Sequence, residues 1–332
     1  MNLQQRISIL VDLGRYMLSE TPEWQSVKET AFRKNFWFTV ENINLSCQNI
    51  AENFLQKTKL ENWADQYHIP QDNEKHITVG IVMAGNIPLV GFHDFLCTFI
   101  FGLKQRIKLS SKDDVLLPFL IKEMAKKNPD ILDLVSFEDN LKGCDAYIAT
   151  GSNNAGRYFD YYFGKYPSII RRNRTSVALL TGKESNEELG LLAEDIQNYF
   201  GLGCRNVTML YVPENYDFIP LIEVLKKYEP ILDYHKYKNN YDYQLAILLL
   251  NKKFYMSGGG LLLEENPIIF SPISTIHYQY YKNIKDIETK LNSSEDVQAI
   301  VGTNHLGFGQ AQKPLLTDYA DGVDTMQFLS KL

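Results

Sequence analysis

The chain is poor in cysteine, with four thiols (Cys47, Cys97, Cys144 and Cys204) among 332 residues. They are too far apart for a disulfide framework or for zinc-ligand spacing. Positive charge is also in deficit: 34 Lys and Arg against 40 Asp and Glu leave a net charge of −6. That excludes a basic footprint for nucleic acid or for an anionic membrane. No apolar run approaches the ~18–20 residues of a bilayer span, and the longest candidates, Ile247–Leu250 and Leu261–Leu263, are core-sized. The opening residues, Met1 to Ile7, lack the charged, apolar and small segments of a signal peptide. The six histidines form no ligand spacing, and no internal repeat or low-complexity tract is present. These absences predict a reduced, cytoplasmic globular protein with no nucleic-acid partner and no membrane span.

What remains is ample for a core, with 45% hydrophobic and 12% aromatic residues. The length predicts two domains at roughly 100–200 residues each. The first seventy residues read as helical, with Leu3, Ile7, Leu10 and Val11 at helix spacing. From His76 the texture changes to short β-branched runs that alternate with helical stretches. Strands are predicted at 76–83, 106–109, 145–150, 176–180, 206–212, 261–263, 268–270, 275–280 and 298–301. Helices are predicted at 91–103, 112–126, 151–163, 186–200, 218–228 and about 241–250. The alternation points to an α/β fold with a mostly parallel sheet.

Four places carry residues suited to chemistry. At Thr150-Gly151-Ser152 a strand runs straight into a helix, so backbone N–H groups and the positive helix end offer a seat for pyrophosphate. The competing role is an ordinary N-cap, for which Ser is favoured anyway. Cys204, in Gly201-Leu-Gly-Cys204-Arg205, lies on a glycine-flanked loop where α/β proteins build active sites, and Arg205 favours a thiolate. Cys47, Cys97 and Cys144 read as small buried hydrophobes. Asn86, just past a strand end, either stabilises a developing oxyanion or closes its own turn. Lys108, ending the next strand, either binds a ribose or phosphate or is simply solvated. The aromatic groups Phe92, Phe95, Phe99, Phe101 and Tyr158, Phe159, Tyr161, Tyr162, Phe163 either line an apolar channel or, more commonly, fill the core.

Taken in order, these segments resemble the aldehyde dehydrogenase superfamily. More closely, they are similar to the fatty acyl-CoA reductase family related to the LuxC component of bacterial bioluminescence. The resemblance covers about Ile77 to Val212. Met83-Ala-Gly-Asn-Ile-Pro-Leu89 resembles the family turn whose Asn helps form the oxyanion hole, which falls on Asn86. Arg106-Ile-Lys-Leu-Ser-Ser111 resembles the strand whose Lys contacts the adenosine ribose, which falls on Lys108. Thr150-Gly-Ser resembles the helix start at the cofactor pyrophosphate, giving Gly151 and Ser152, and Gly201-Leu-Gly-Cys204 falls where the catalytic Cys belongs. The resemblance implies an aldehyde dehydrogenase-like fold. Residues 1–175 would carry a helical N-terminus and a Rossmann-type NAD(P) domain, with the tail 300–332 packed back on it, and 176–299 the catalytic domain. It also implies a homo-oligomer.

Three departures shape the expected activity. The family strand matching 176–181 carries a water-activating Glu in oxidising, hydrolytic members, and Ala178-Leu-Leu-Thr181 has no carboxylate. A second Glu, expected before Ile-Phe-Gly-Pro to hold the nicotinamide ribose, is replaced by Ile268 in Ile268-Ile-Phe-Ser-Pro272. The Glu that favours NAD, three places after the ribose Lys, is Ser111, followed by Lys112. Losing that carboxylate admits a 2′-phosphate, so NADPH is the expected cofactor, with NADH left open. The resemblance therefore implies NADPH-dependent reduction of a long-chain fatty acyl-CoA to the aldehyde through an acyl-Cys204 thioester. The alternatives are an acyl-phosphate reductase of the same fold and a catalytically silent nucleotide-binding partner subunit. Iodoacetamide labelling of the native protein, mapped by mass spectrometry, is expected to modify Cys204 ahead of Cys47, Cys97 and Cys144.

Overall fold

The computed structural model describes residues 1–73 and 75–332, which group into two compact units. Met1–Asn173 and Pro314–Leu332 form the first, and Arg174–Lys313 the second, so residues 300–313 stay with the second. The first unit opens with four helices, α1 (Leu3–Met17), α2 (Pro22–Lys34), α3 (Val40–Asn53) and α4 (Lys57–Gln66). Asn2 and Gln5 close a reciprocal cap on α1, which satisfies two otherwise orphaned N–H groups. Its apolar stripe, Leu3, Ile7, Leu10, Leu13 and Met17, recurs at i, i+4, i+7 and is buried.

The sheet of this unit then alternates with helices: β1 (Thr78–Val82), α5 (Phe92–Ile100), β2 (Lys104–Lys108), α6 (Leu116–Lys127), α7 (Ile131–Leu134), β3 (Val135–Phe137), β4 (Ala146–Thr150), α8 (Asn153–Phe163) and β5 (Ser168–Arg171). The strands lie in the order β3-β2-β1-β4-β5, all parallel. Helix α5 is buried all round, so Phe92, Phe95, Phe99 and Phe101 fill the core and line no channel. Phe163 stacks on Tyr147 with centroids 4.2 Å apart, whereas Tyr158, Tyr161 and Tyr162 are exposed on α8.

The second unit contains β6 (Thr175–Leu179), α9 (Asn186–Gln197), β7 (Val207–Pro213), α10 (Ile219–Leu225), α11 (His235–Leu250), β8 (Met256–Gly258), β9 (Leu261–Glu265), β10 (Thr275–Tyr281), α12 (Ile284–Asn292) and β11 (Val297–Val301). Its sheet order is β11-β6-β7-β10-β9-β8, parallel except for β8 against β9. The predicted strand at 268–270 does not form. Pro267 precedes it, and the Asn266 carboxamide accepts the Ile268 N–H in a local turn that competes with strand pairing. The short strands β3, β5 and β8 carry no alternating pattern of useful length, and they pair because neighbouring strands present free edges.

The chain ends in α13 (Thr325–Ser330), which belongs to the first unit. Its anchor is a buried charge cluster: the Arg171 guanidinium donates to Asp94 at 2.6 Å and to the Thr325 hydroxyl at 2.8 Å. Tyr319 adds to this by accepting from the Trp63 indole at 2.9 Å. Removing one partner of a buried pair leaves the other charge without compensation. Asp94→Ala is therefore expected to lower unfolding free energy by about 3–5 kcal/mol, read by urea titration. Glu123→Ala, which breaks the pair with the solvent-exposed Lys126, should leave the urea midpoint nearly unchanged by comparison.

Candidate active site

A parallel sheet wound in both directions from β1 leaves a crevice where the connections diverge, at the carboxyl ends of β1 and β4. The register puts Val82 beside Lys108 on one side and beside Ala149 on the other. Adjacent strands lie about 4.8 Å apart, so the turns after β2, β1 and β4 sit side by side on one edge. Those turns carry Lys108 and Ser111, Asn86, and Gly151 with Ser152 respectively. All five lie on the first unit, and Cys204 on the second.

The Asn86 turn is held from both flanks. The Ser46 hydroxyl of α3 donates to the Pro88 carbonyl at 2.7 Å, and the Leu89 N–H donates to the Asp113 carboxylate at 2.8 Å. Leu89 needs that support, because its φ of 57° lies in the left-handed region that costs L-residues about 1–2 kcal/mol. Gly85 has no freedom to be larger, since a Cβ there would meet the Ser110 hydroxyl at 2.6 Å. Asp113 is buried, which pushes its carboxyl up to about 7 against the opposing pull of the Leu89 amide. The Lys108 ammonium is exposed and donates to the Asp139 carbonyl at 2.6 Å. Ser111 and Lys112 are both exposed next to it. Ser152 caps α8, its hydroxyl accepting from Ala155 N–H at 3.2 Å. A side chain on Gly151 would collide with the Phe159 ring at 2.8 Å. The donor set on this edge, one helix N-terminus with exposed cations two strands away and no carboxylate at 111, fits the phosphates and ribose of a dinucleotide.

Cys204 differs from the other thiols. Cys47, Cys97 and Cys144 are buried, and burial raises all three, Cys47 to about 12. Cys204 is half-exposed in the turn between α9 and β7. The predicted helix through 200 ends earlier, at Gln197, because Tyr199, Phe200 and Gly201 take φ values of 53°, 58° and 73° in succession. Phe200 stacks on Tyr234 with centroids 5.2 Å apart and Tyr199 is buried, which offsets the backbone cost.

The residue that organises this turn is Asn206, which sequence reading placed in the strand as its first residue. Its side chain is fully buried. The Nδ2 group donates to the carbonyls of Asp195 (3.0 Å), Ile196 (3.2 Å) and Asn198 (2.8 Å). Oδ1 accepts the Gly203 N–H at 2.8 Å, and the Asn206 N–H donates to the Gly203 carbonyl at 3.0 Å. The Ser176 hydroxyl on β6 fixes the Cys204 carbonyl at 3.2 Å. Thr208 on β7 donates to the Ile269 carbonyl at 2.5 Å, which ties the Ile269-Phe-Ser-Pro272 segment to the same region. Asp195 accepts the Gly309 and Ala311 amides at 2.7 and 3.0 Å, and burial raises its carboxyl to about 7. An Asn just before a β-branched run was the visible signal for Asn206, but Asn in that position usually closes an exposed turn.

At the end of β6, Ala178 and Leu179, with Leu180 just after it, are buried and apolar. A carboxylate follows at Glu184, which the sequence reading did not single out. Its oxygens accept from Thr181 N–H (2.6 Å), the Thr181 hydroxyl (2.8 Å) and Gly182 N–H (3.0 Å), so it closes the β6–α9 turn. Among the described residues, no group of three or more His, Cys, Asp or Glu could hold a metal ion, and no helix is long and apolar enough to cross a membrane.

No protein-family model and no curated protein matches the chain. Solved structures do. An NADP-dependent enzyme of E. coli is 13% identical, with a TM-score of 0.66 over 91% of this chain and 73% of that one. Aldehyde dehydrogenase 21 of Physcomitrella patens, solved with the reaction product succinate, is 13% identical, with a TM-score of 0.63 over 91% and 74%. The aldehyde dehydrogenase KauB of Pseudomonas aeruginosa is 12% identical, with a TM-score of 0.61 over 91% and 72%. At these identities the likeness is one of fold: an aldehyde dehydrogenase-like α/β architecture with a parallel Rossmann-like sheet and a second, mixed sheet.

The Asp113 carboxyl gives this unit a pH signature. Its folded value near 7 lies above its ordinary 3.8, so between those values the folded protein holds a proton that the unfolded chain has released. That contribution to stability is complete below about pH 4 and is lost as pH rises through 7. Asp113→Asn is expected to flatten the decline in melting temperature between pH 5 and 8, measured by scanning calorimetry across that range.

Proposed function

We propose that the protein reduces an activated fatty acyl group, a long-chain acyl-CoA, to the aldehyde at the expense of NADPH. The observation that carries this reading is the pairing of a half-exposed Cys204 in a fixed turn with a β6 strand that is apolar at Ala178–Leu180. A thioester formed on Cys204 then has no carboxylate on that strand to activate water against it. Glu184 is a poor substitute, because three hydrogen bonds from the β6–α9 turn occupy its carboxylate oxygens. Hydride transfer to the acyl carbon needs no such base.

In this mechanism the Cys204 thiolate attacks the acyl carbonyl, the new C–S bond forms, and coenzyme A leaves as a thiolate. The Asn86 amide and the Cys204 N–H are the proposed donors to the oxyanion. NADPH, when bound, supplies hydride to the acyl carbon. The oxyanion then re-forms the carbonyl as the C–S bond breaks, which releases aldehyde and returns Cys204 as thiolate. Gly151 and the start of α8 are assigned to the pyrophosphate, and Lys108 to the adenosine ribose. Ser111 and Lys112 accommodate a 2′-phosphate, because no carboxylate at 111 repels it.

The reading is tested by NADPH oxidation with long-chain acyl-CoA and, separately, with an acyl phosphate, the wild type beside Cys204→Ala. Turnover with acyl-CoA that disappears in Cys204→Ala is the expected result. Turnover with acyl phosphate alone would move the substrate to that class, and no turnover with either would favour a silent nucleotide-binding subunit. Asn86→Ala should lower kcat by about 10²–10³-fold, the usual effect of deleting one oxyanion donor.

A further inference from the structure

We propose that Asn206 is the positioning residue for Cys204, and that its buried amide sets the reactivity of the thiol by neutralising the carbonyl end of α9. The inference rests on Cys204 being the nucleophile. A helix C-terminus carries about −0.5 of an elementary charge from carbonyls that lack N–H partners. Negative charge beside a thiol disfavours the thiolate, the reactive form. The turn bearing Cys204 leaves directly from that end of α9, with the carbonyls of Asp195, Ile196 and Asn198 aimed at one buried point. The Asn206 Nδ2 group occupies that point. Its two hydrogens are shared among three carbonyls, so one hydrogen bond is bifurcated.

The other half of the same amide binds the residue before Cys204. Oδ1 holds the Gly203 N–H, and the Asn206 backbone N–H holds the Gly203 carbonyl, so both backbone polar groups of the residue before Cys204 are fixed. Ser176 fixes the carbonyl after the Cys204 Cα. With its backbone pinned at each flank, the thiol keeps only side-chain rotation. The charged groups around the turn include Arg205 within it, Glu194 and Asp195 on α9, and Lys313, whose charge acts on Asp195. Glu194 pairs with Lys227 at 3.5 Å, and Asp195 is bound to the 309–311 loop. The facing residues Thr175, Ser176 and Thr208 on β6 and β7 are neutral. None of the side-chain contacts of Glu194 and Asp195 uses Asn206, so its substitution leaves them in place.

The decisive variant is Asn206→Asp. It keeps the shape and the acceptor for Gly203 N–H but replaces the donor with an oxygen turned toward three carbonyls. Because it also adds a charge of its own, Asn206→Leu, which removes the donor and adds none, is measured beside it. Only a displacement shared by both variants supports the inference. The readout is the rate of Cys204 alkylation by iodoacetamide as a function of pH, resolved by mass spectrometry, with circular dichroism to establish folding. Cys47, Cys97 and Cys144 serve as internal burial controls. The expected result is a folded variant with the other three thiols still protected and the Cys204 profile displaced upward by about one pH unit, a rate about tenfold slower at pH 7. A merely structural role would change the Cys204 rate by the same factor at every pH and leave its profile in place, while the other three thiols, all in the first unit, report on that unit alone. A folded variant with the wild-type profile would overturn the inference. If Asn206→Asp does not fold, hydrogen exchange of wild-type residues 198–207 decides. Protection comparable to β7 supports the clamp, and exchange at open-loop rates overturns it. Unreactive Cys204 in the wild type overturns the nucleophile reading itself, whereas reactive Cys204 indifferent to Asn206 overturns only this inference.

Discussion

A helix that ends inside a protein must find partners for its last carbonyls, and the second unit meets that demand with one side chain. The Asn206 amide takes three carbonyls of α9 on one side and the Gly203 N–H on the other. Buried carbonyls without donors would each carry a desolvation penalty of roughly 1–3 kcal/mol, so the amide adds to the Phe200 stacking and Tyr199 burial that offset the left-handed run at 199–201. The position of Cys204 follows from this arrangement, because the thiol lies two residues from Asn206 and its carbonyl is held by Ser176. The start of β7, where Thr208 binds the 269–272 segment, follows in turn.

The first unit solves a related problem by other means. Its turn after β1 also stores backbone strain, at Leu89, and a buried carboxylate accepts the strained amide. Asp113 belongs to the connection after β2, so the turn bearing Asn86 and the one bearing Lys108 and Ser111 are held by a common contact. Sheet order does the rest. Winding outward from β1 in both directions brings three separate connections to one edge, although their residues are up to 66 positions apart in the chain. Far from that edge, the Arg171–Asp94–Thr325 cluster binds the C-terminal helix to α5 and β5.

Much of this organisation was readable in advance. The β-branched runs at 78–82, 146–150 and 207–213 carry their own signal, since continuous apolar stretches of that length suit a strand buried on both faces. The capped start of α8 at Ser152 is equally local. Cys204 stood apart from the other three thiols through its glycine flanks, and the structure leaves it alone half-exposed among them. The phenylalanines of α5 were ambiguous, because an apolar face reads the same whether it meets a core or a ligand. The turn at 268–270 was misread as a strand for a comparable reason. Its composition is β-like, and the competing Asn266 turn shows only in hydrogen bonding.

Sequence alone thus determined the class of each element, the order of the candidate turns and the absence of a carboxylate from 178 to 181, because periodicity, caps and residue identity are properties of short segments. Tertiary structure decided which polar side chains face inward and what they hold. Asn206 read as the first residue of a strand, Asp113 and Asp195 fell inside predicted helices and Glu184 was not singled out, yet three of the four are buried in the fold. Their roles depend on carbonyls and amides that other segments bring to them, and a buried hydrogen bond exists only once both partners have been removed from water.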